Sequence, residues 1–197
     1  MNQRDGAGMT PLIWAARYGH EQVVRLLLGN EHIQLDQQDV SSGRTALSWA
    51  AGNGHEGVVR LFLGPRYVDS RRTGRRWGKA ARAVGVLIGV RYANPDIPDT
   101  ANGRTPLSWA AGNGHEGIVA LLLGRKDVNP HSSSKSLRTP LSWAAANGHE
   151  GIVKLLLVRG DGNSDTPNAY HCNIALSLAA ENGHEAIMRL LGRLSTP

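Results

Sequence analysis

Apolar and polar positions along this chain alternate in a paired pattern. From 104 to 123 the sequence reads RTPLSWAAGNGHEGIVALLL. Leu107, Trp109, Ala110 and Ala111 form one apolar cluster. Ile118, Val119, Leu121, Leu122 and Leu123 form a second, and polar Asn113-Gly114-His115-Glu116 separates them. Each cluster has the spacing of one face of a short helix. Thr105-Pro106 predicts the start of the first helix, because the hydroxyl can cap a free N–H and Pro is pre-set for the first helical position. Asn113-Gly114 ends it, and Glu116 suits the N-terminal dipole of the second, which Gly124 stops. Helices of about two turns are not stable alone in water. Each has to bury its face against a neighbour.

The pattern recurs. Residues 44–63 match 104–123 at 16 of 20 positions and residues 138–157 at 18 of 20. Weaker copies lie at 9–28 (13 of 20) and 173–192 (11 of 20). Near-identity at a spacing of 34 or 35 residues is the signature of a stacked repeat array. Between the copies at 44 and 104 the register is disturbed. The five tryptophans, Trp14, Trp49, Trp77, Trp109 and Trp143, each follow a Thr by four residues, so Trp77 places a third unit. That unit lacks the Gly-His turn and puts Arg75 where Leu107 stands. It reads as a degenerate repeat with poor packing, acting as a hinge between two better sub-arrays. The last unit is also atypical: Ile174-Ala175 replaces Thr-Pro, and Leu178 replaces Trp.

The motif resembles the ankyrin repeat. Thr105-Pro106-Leu107, Ala110-Ala111, Gly114-His115 and Ile118-Val119 match that family's pattern. The Leu-Ser-Trp-Ala-Ala wording is similar to fungal ankyrin arrays, which often form the recognition end of larger receptor-like proteins. One departure recurs: the family's His after Leu is Ser48, Ser108, Ser142 or Ser177, and Ile13 in the first copy. The resemblance implies an all-α solenoid of about six helix-turn-helix repeats joined by hairpin loops. The units are expected at about 1–38, 39–64, 65–98 (the degenerate one), 99–132, 133–167 and 168–197, forming one array. It also implies a protein-interaction scaffold that binds on its concave hairpin and inner-helix face.

Composition narrows this further. A single cysteine, Cys172, excludes a disulfide framework. With apolar runs too short for a membrane span and no leader pattern, the expectation is an intracellular protein, cytoplasmic or nuclear. The direct start into the first unit, with no polar capping repeat, points to a fragment or one end of a larger protein. The net charge of +6 is local. Residues 64–91 hold Arg66, Arg71, Arg72, Arg75, Arg76, Lys79, Arg82 and Arg91 against Asp69 alone, a sum of +7, so the remainder sums to −1. This segment is the basis of an alternative reading, a nucleic-acid or nuclear-import interaction.

Several motifs reduce to the repeat. Gly52 to Gly57 and Gly112 to Gly117 match GxGxxG, but between two helices rather than after a strand, so no cofactor is expected. His20, His55, His115, His149 and His184 stand one repeat apart and cannot share a metal ion. They read as ties to the turn backbone of adjacent repeats. The tryptophans read as core. No acid, base or nucleophile set stands outside the repeat template, so no enzyme activity is expected. Arg44, Arg72, Arg104 and Arg138 share one position before the helix-start Thr. They form either a cationic ladder for carboxylates or phosphates, or a solvated ladder balanced by Asp39, Asp96 and Asp99. Carrying over the family's contact positions adds Met9, Arg17, Tyr18, Asn53, Asn113, Lys135, Ser136, Asn147, Tyr170, His171, Asn173, Glu181 and Asn182. The expected partner is another protein with an acidic or repetitive surface. The near identity of units 2, 4 and 5 fits a repetitive partner or a recent duplication equally.

Overall fold

The structure, a computed structural model, describes residues 2–64, 92–158 and 169–192. Among these residues the chain forms ten helices in five pairs. They are α1 (Pro11–Arg17), α2 (Glu21–Leu28), α3 (Ala46–Gly52), α4 (Glu56–Leu63), α5 (Pro106–Gly112), α6 (Glu116–Leu123), α7 (Pro140–Ala146), α8 (Glu150–Val158), α9 (Ala169–Glu181) and α10 (Glu185–Gly192). This is an all-α repeat solenoid.

The helix starts follow the expected chemistry. Thr10, Thr45, Thr105 and Thr139 each accept a hydrogen bond from the backbone N–H three residues on, at 3.2, 3.1, 3.3 and 3.4 Å. All four threonines are buried, so these caps satisfy N–H groups that water does not reach. Where the cap is missing, the boundary moves. Ile174-Ala175 offers no stop signal, and α9 begins at Ala169, six residues ahead of where the repeat pattern places it.

The first helices of each pair, α1, α3, α5, α7 and α9, pack side by side in one row, and α2, α4, α6, α8 and α10 form a second row behind them. Leu12, Leu47, Leu107 and Leu141 and the paired alanines of the first row meet Val24, Val59, Val119 and Val153 of the second in one continuous core. No helix among the described residues is long and apolar enough to cross a membrane.

The joint between α3 and α5 departs from expectation. Most of the anticipated third unit, including Arg72 and Trp77, lies outside the described residues. Yet α3 packs directly on α5. The bonds across this joint are those that join α5 to α7. Asn113 and His115 both reach Gly52 O, at 2.7 and 3.0 Å, as Asn147 and His149 reach Gly112 O at 2.6 and 3.1 Å. α3 and α5 thus meet in an ordinary joint, and most of the segment anticipated as a degenerate unit and hinge lies outside the described residues. The chain leaves at Gly64 and returns beside it: Ala93 N–H donates to Phe62 O at 3.2 Å, and the Tyr92 ring lies against Gly64.

Replacing residues 65–91 with a short Gly/Ser linker is therefore expected to leave the helical circular dichroism and the thermal midpoint of the array within a few degrees of the full chain. A collapse of helicity would show that the removed residues belong to the stack.

Candidate partner-binding face

The hairpins that lead into the first-row helices are built on a buried carboxylate. Asp39 is 3% exposed. Its Oδ1 accepts from Ser42 N (2.6 Å) and from the Ser41 and Ser42 hydroxyls. Its Oδ2 accepts from Trp49 Nε1 (3.0 Å) and Arg44 N (3.1 Å). Burial alone would raise the pKa of this group. The donors from Ser42, Trp49 and Ser41 outweigh burial and hold it at about 2. Asp99 repeats the arrangement, accepting from Trp109 Nε1 at 2.9 Å and Asn102 N at 2.6 Å. Asp5 does so in the first unit, accepting from Trp14 Nε1 at 2.8 Å and from the N–H groups of Ala7 and Met9. The Trp14 bond is the first cause of its own depressed pKa.

Held edge-on by these carboxylates, the indoles alternate with guanidiniums. Arg17 lies 4.4 Å from the Trp49 ring centroid. Arg44 lies between Trp49 and Trp109 at 3.9 and 4.0 Å. Arg104 lies between Trp109 and Trp143 at 3.8 and 4.0 Å. Arg138 closes the row, 4.8 Å from Trp143. Arg44 Nη2 donates to Ser48 O (2.6 Å) and Arg104 Nη2 to Ser108 O (2.8 Å). Burial draws both guanidiniums down to about 10, opposed first by Asp99, so both stay charged at neutral pH. Gly52 and Gly112 make the space: a Cβ there would stand 2.3 and 2.5 Å from the Nη2 atoms of Arg44 and Arg104.

This corrects the reading of the arginine ladder. Arg44 and Arg104 are 6% and 8% exposed. They are neither a contact face nor a solvated row, because their charge is consumed by indole faces, backbone carbonyls and the carboxylates of Asp39 and Asp99. Asp96 Oδ2 accepts from Asn129 N at 2.8 Å. Among the described tryptophans, Trp49, Trp109 and Trp143 are half-buried beside the core rather than in it, and Trp14 is exposed at 37%. Met9, in the arginine position of the first unit, is buried at 3%.

The other anticipated contact residues divide by location. Asn53, Asn113 and Asn147 are exposed, but their amide N–H groups donate to Arg17 O, Gly52 O and Gly112 O of the preceding unit. The turn histidines share those carbonyls: the Nε2–H of His55, His115 and His149 donates to the same three oxygens. His184 reaches Ala146 O at 3.1 Å, while Asn182 turns back to Leu178 O. These four histidines thus tie neighbouring units, as their spacing implied. Tyr170, His171 and Asn173 lie on α9 instead of on a hairpin, because that helix starts early. Tyr18, Lys135, Ser136, Asn173, Glu181 and Asn182 are exposed, and Arg17, Arg138 and His171 are half-buried.

Sequence reasoning missed the hairpin tips Val40 (71% exposed), Thr100 and Leu137 (57% exposed). It also missed the carboxylate lock, although a signal was present. Asp5, Asp39 and Asp99 precede Trp14, Trp49 and Trp109 by nine or ten residues. The tips form a continuous edge, since Val40 N–H donates to Ala7 O, Ala101 N–H to Ser42 O and Lys135 N–H to Asn102 O, at 3.2, 3.1 and 2.8 Å.

A family model described as ankyrin repeats, in three copies, matches residues 1–72 and 77–167. No curated protein matches the chain.

Arg44→Ala removes a desolvated guanidinium from between two indoles and leaves Ser48 O without its donor. The expected cost is about 2–4 kcal/mol, read as a lowered urea midpoint. The Asp39 carboxylate supplies stability that is fully present above its unfolded pKa of about 3.9 and is lost as the pH falls toward about 2. Asp39→Asn should therefore be less stable at neutral pH and lose less on acidification from pH 4 to pH 2. Parallel urea midpoint–pH curves for the two proteins would show that the lock is not formed.

Proposed function

The chain belongs to the ankyrin-repeat family, and we propose that it is a recognition module that takes a protein partner along its hairpin tips and the adjoining edge of the first-row helices. Ankyrin repeats are in general protein–protein interaction modules and typically non-enzymatic. The observation that carries the proposal is the contrast between frame and tip. The frame of caps, indoles, guanidiniums and cross-unit carbonyl bonds is nearly the same from unit to unit. On it stand three different exposed tips: Val40-Ser41-Ser42, Thr100-Ala101-Asn102 and Lys135-Ser136-Leu137. A surface that varies while its support does not can be selected for a partner without cost to the fold. Tyr18 extends the same edge from α1, stacked parallel on Trp14 with ring centroids 5.7 Å apart.

The basic segment 64–91 supports a second reading, nucleic-acid binding. It is favoured by the concentration of charge there, +7 against −1 for the rest of the chain.

One experiment addresses both. Partners captured from lysate are identified by mass spectrometry and titrated against the full chain and a Val40→Asp/Lys135→Glu variant. The protein-recognition reading expects at least about a tenfold loss of affinity with unchanged circular dichroism, and no such loss would overturn it. Capture abolished by nuclease and by Arg71, Arg72, Arg75 and Arg76→Ser, with affinity falling steeply in salt, would assign the work to the basic segment.

A further inference from the structure

The fifth unit breaks the frame in three places at once. Its hairpin has Ser134 where the others have Asp5, Asp39 and Asp99. The correspondence is fixed by the backbone: Ser134 N–H donates to Arg138 O as Asp39 N–H does to Arg44 O, and Ser134 Oγ accepts from Arg138 N as Asp39 Oδ2 does from Arg44 N. It has Leu137 at a φ of +59°, where Gly43 and Gly103 take +69° and +72°. It has Ala146 where Gly52 and Gly112 admit a guanidinium.

Each change leaves something open. Trp143 Nε1 is buried and has no acceptor among the described residues, whereas the indoles of Trp14, Trp49 and Trp109 all donate to a carboxylate. Arg138 is half-buried, and its guanidinium makes no hydrogen bond among the described residues. Leu137 is a strained, exposed apolar side chain at the tip. Charge is unbalanced as well. Arg44 is attracted by both Asp39 and Asp99, but Arg104 only by Asp99, with Arg138 repelling it from the other side. A buried indole N–H flanked by two cations and lacking its carboxylate is an anion site with its acceptor removed.

We propose that the fifth hairpin binds the carboxylate of an Asp or Glu side chain on the partner, which takes the place of the missing hairpin Asp against Trp143 Nε1 and Arg138, while Leu137 meets an apolar neighbour of that acid. This rests on the recognition reading above and names its anchor. Ser134 stands nine residues before Trp143, the separation of Asp5 and Trp14, and both hairpins close from residue i to i+4. A carboxylate of the protein's own at 134 should therefore reach the indole as Asp5 does.

The test uses the indole region of ¹⁵N–¹H NMR spectra of the full chain, with Trp143→Phe assigning the resonance. The probe is the capped tripeptide acetyl-Leu-Asp-Leu-amide, and the control is its Asn counterpart. The expected result is a saturable downfield shift of the Trp143 Nε1–H with the Asp peptide and binding weaker by about ten- to a hundred-fold with the Asn peptide. Ser134→Asp should show the shifted resonance without peptide, lose the response and melt at a higher temperature. Its higher melting temperature separates lost binding from misfolding. A Trp143 resonance that does not move, moves equally with both peptides, or still responds in Ser134→Asp would overturn the proposal and leave a bound water as the indole's acceptor. If resonances elsewhere on the tip edge respond while Trp143 does not, the recognition reading survives and only this anchor fails.

Discussion

A guanidinium taken out of water is costly unless its charge and its N–H groups are met, and at its central joints this array meets the charge and at least one N–H of each guanidinium, leaving Arg104 Nε without an acceptor among the described residues. Arg44 and Arg104 lie between indole faces, donate to a carbonyl in the first turn of the helix that follows them and sit near a carboxylate. The carboxylate is the keystone. It caps the hairpin turn, fixes the indole through Nε1 and balances the cation that the indole stacks upon. One buried side chain thus sets the turn, the orientation of the tryptophan and the position of the arginine. The helices it aligns are only seven to nine residues long in the first eight cases, too short to persist without such neighbours.

The same local rules make the stack tolerant of what hangs from it. Asn113 and His115 bind Gly52 O across more than sixty positions of sequence with the geometry their counterparts use across fewer than forty. Nothing in the joint senses how the chain travels between its two sides. The entropy of closing a longer loop rises only slowly with length. A charged insertion can therefore sit between two units without weakening their contact, provided its ends return side by side, as Phe62 and Ala93 do. Recognition can be added to such a fold on the tips, where each unit differs.

The fifth unit shows how a repeat becomes specialised. Loss of one carboxylate, gain of one strained leucine and replacement of one glycine by alanine leave the helices, cap and cross-unit bonds in place. What changes is confined to polar satisfaction at the tip, where a buried donor and a neighbouring cation lose their acceptor. Frame and tip are separate enough for the one to vary while the other holds.

The sequence by itself determined the unit: its two short helices, the Thr-Pro start, the Gly-His turn and the apolar faces. These are encoded by residues within a few positions of one another, and local steric and hydrogen-bonding rules read them directly. It also determined that the histidines tie neighbours, because a recurring polar group one repeat apart has only the adjacent turn to reach. Tertiary structure alone decided which of the described helices are neighbours, since α3 meets α5 across a longer interval of sequence than separates the other adjacent pairs. It alone decided that Arg44 and Arg104 face inward. Whether a long cation ends in water or between two rings depends on the space left by Gly52 and Gly112 and on indoles contributed by two different units, and no local pattern carries that information.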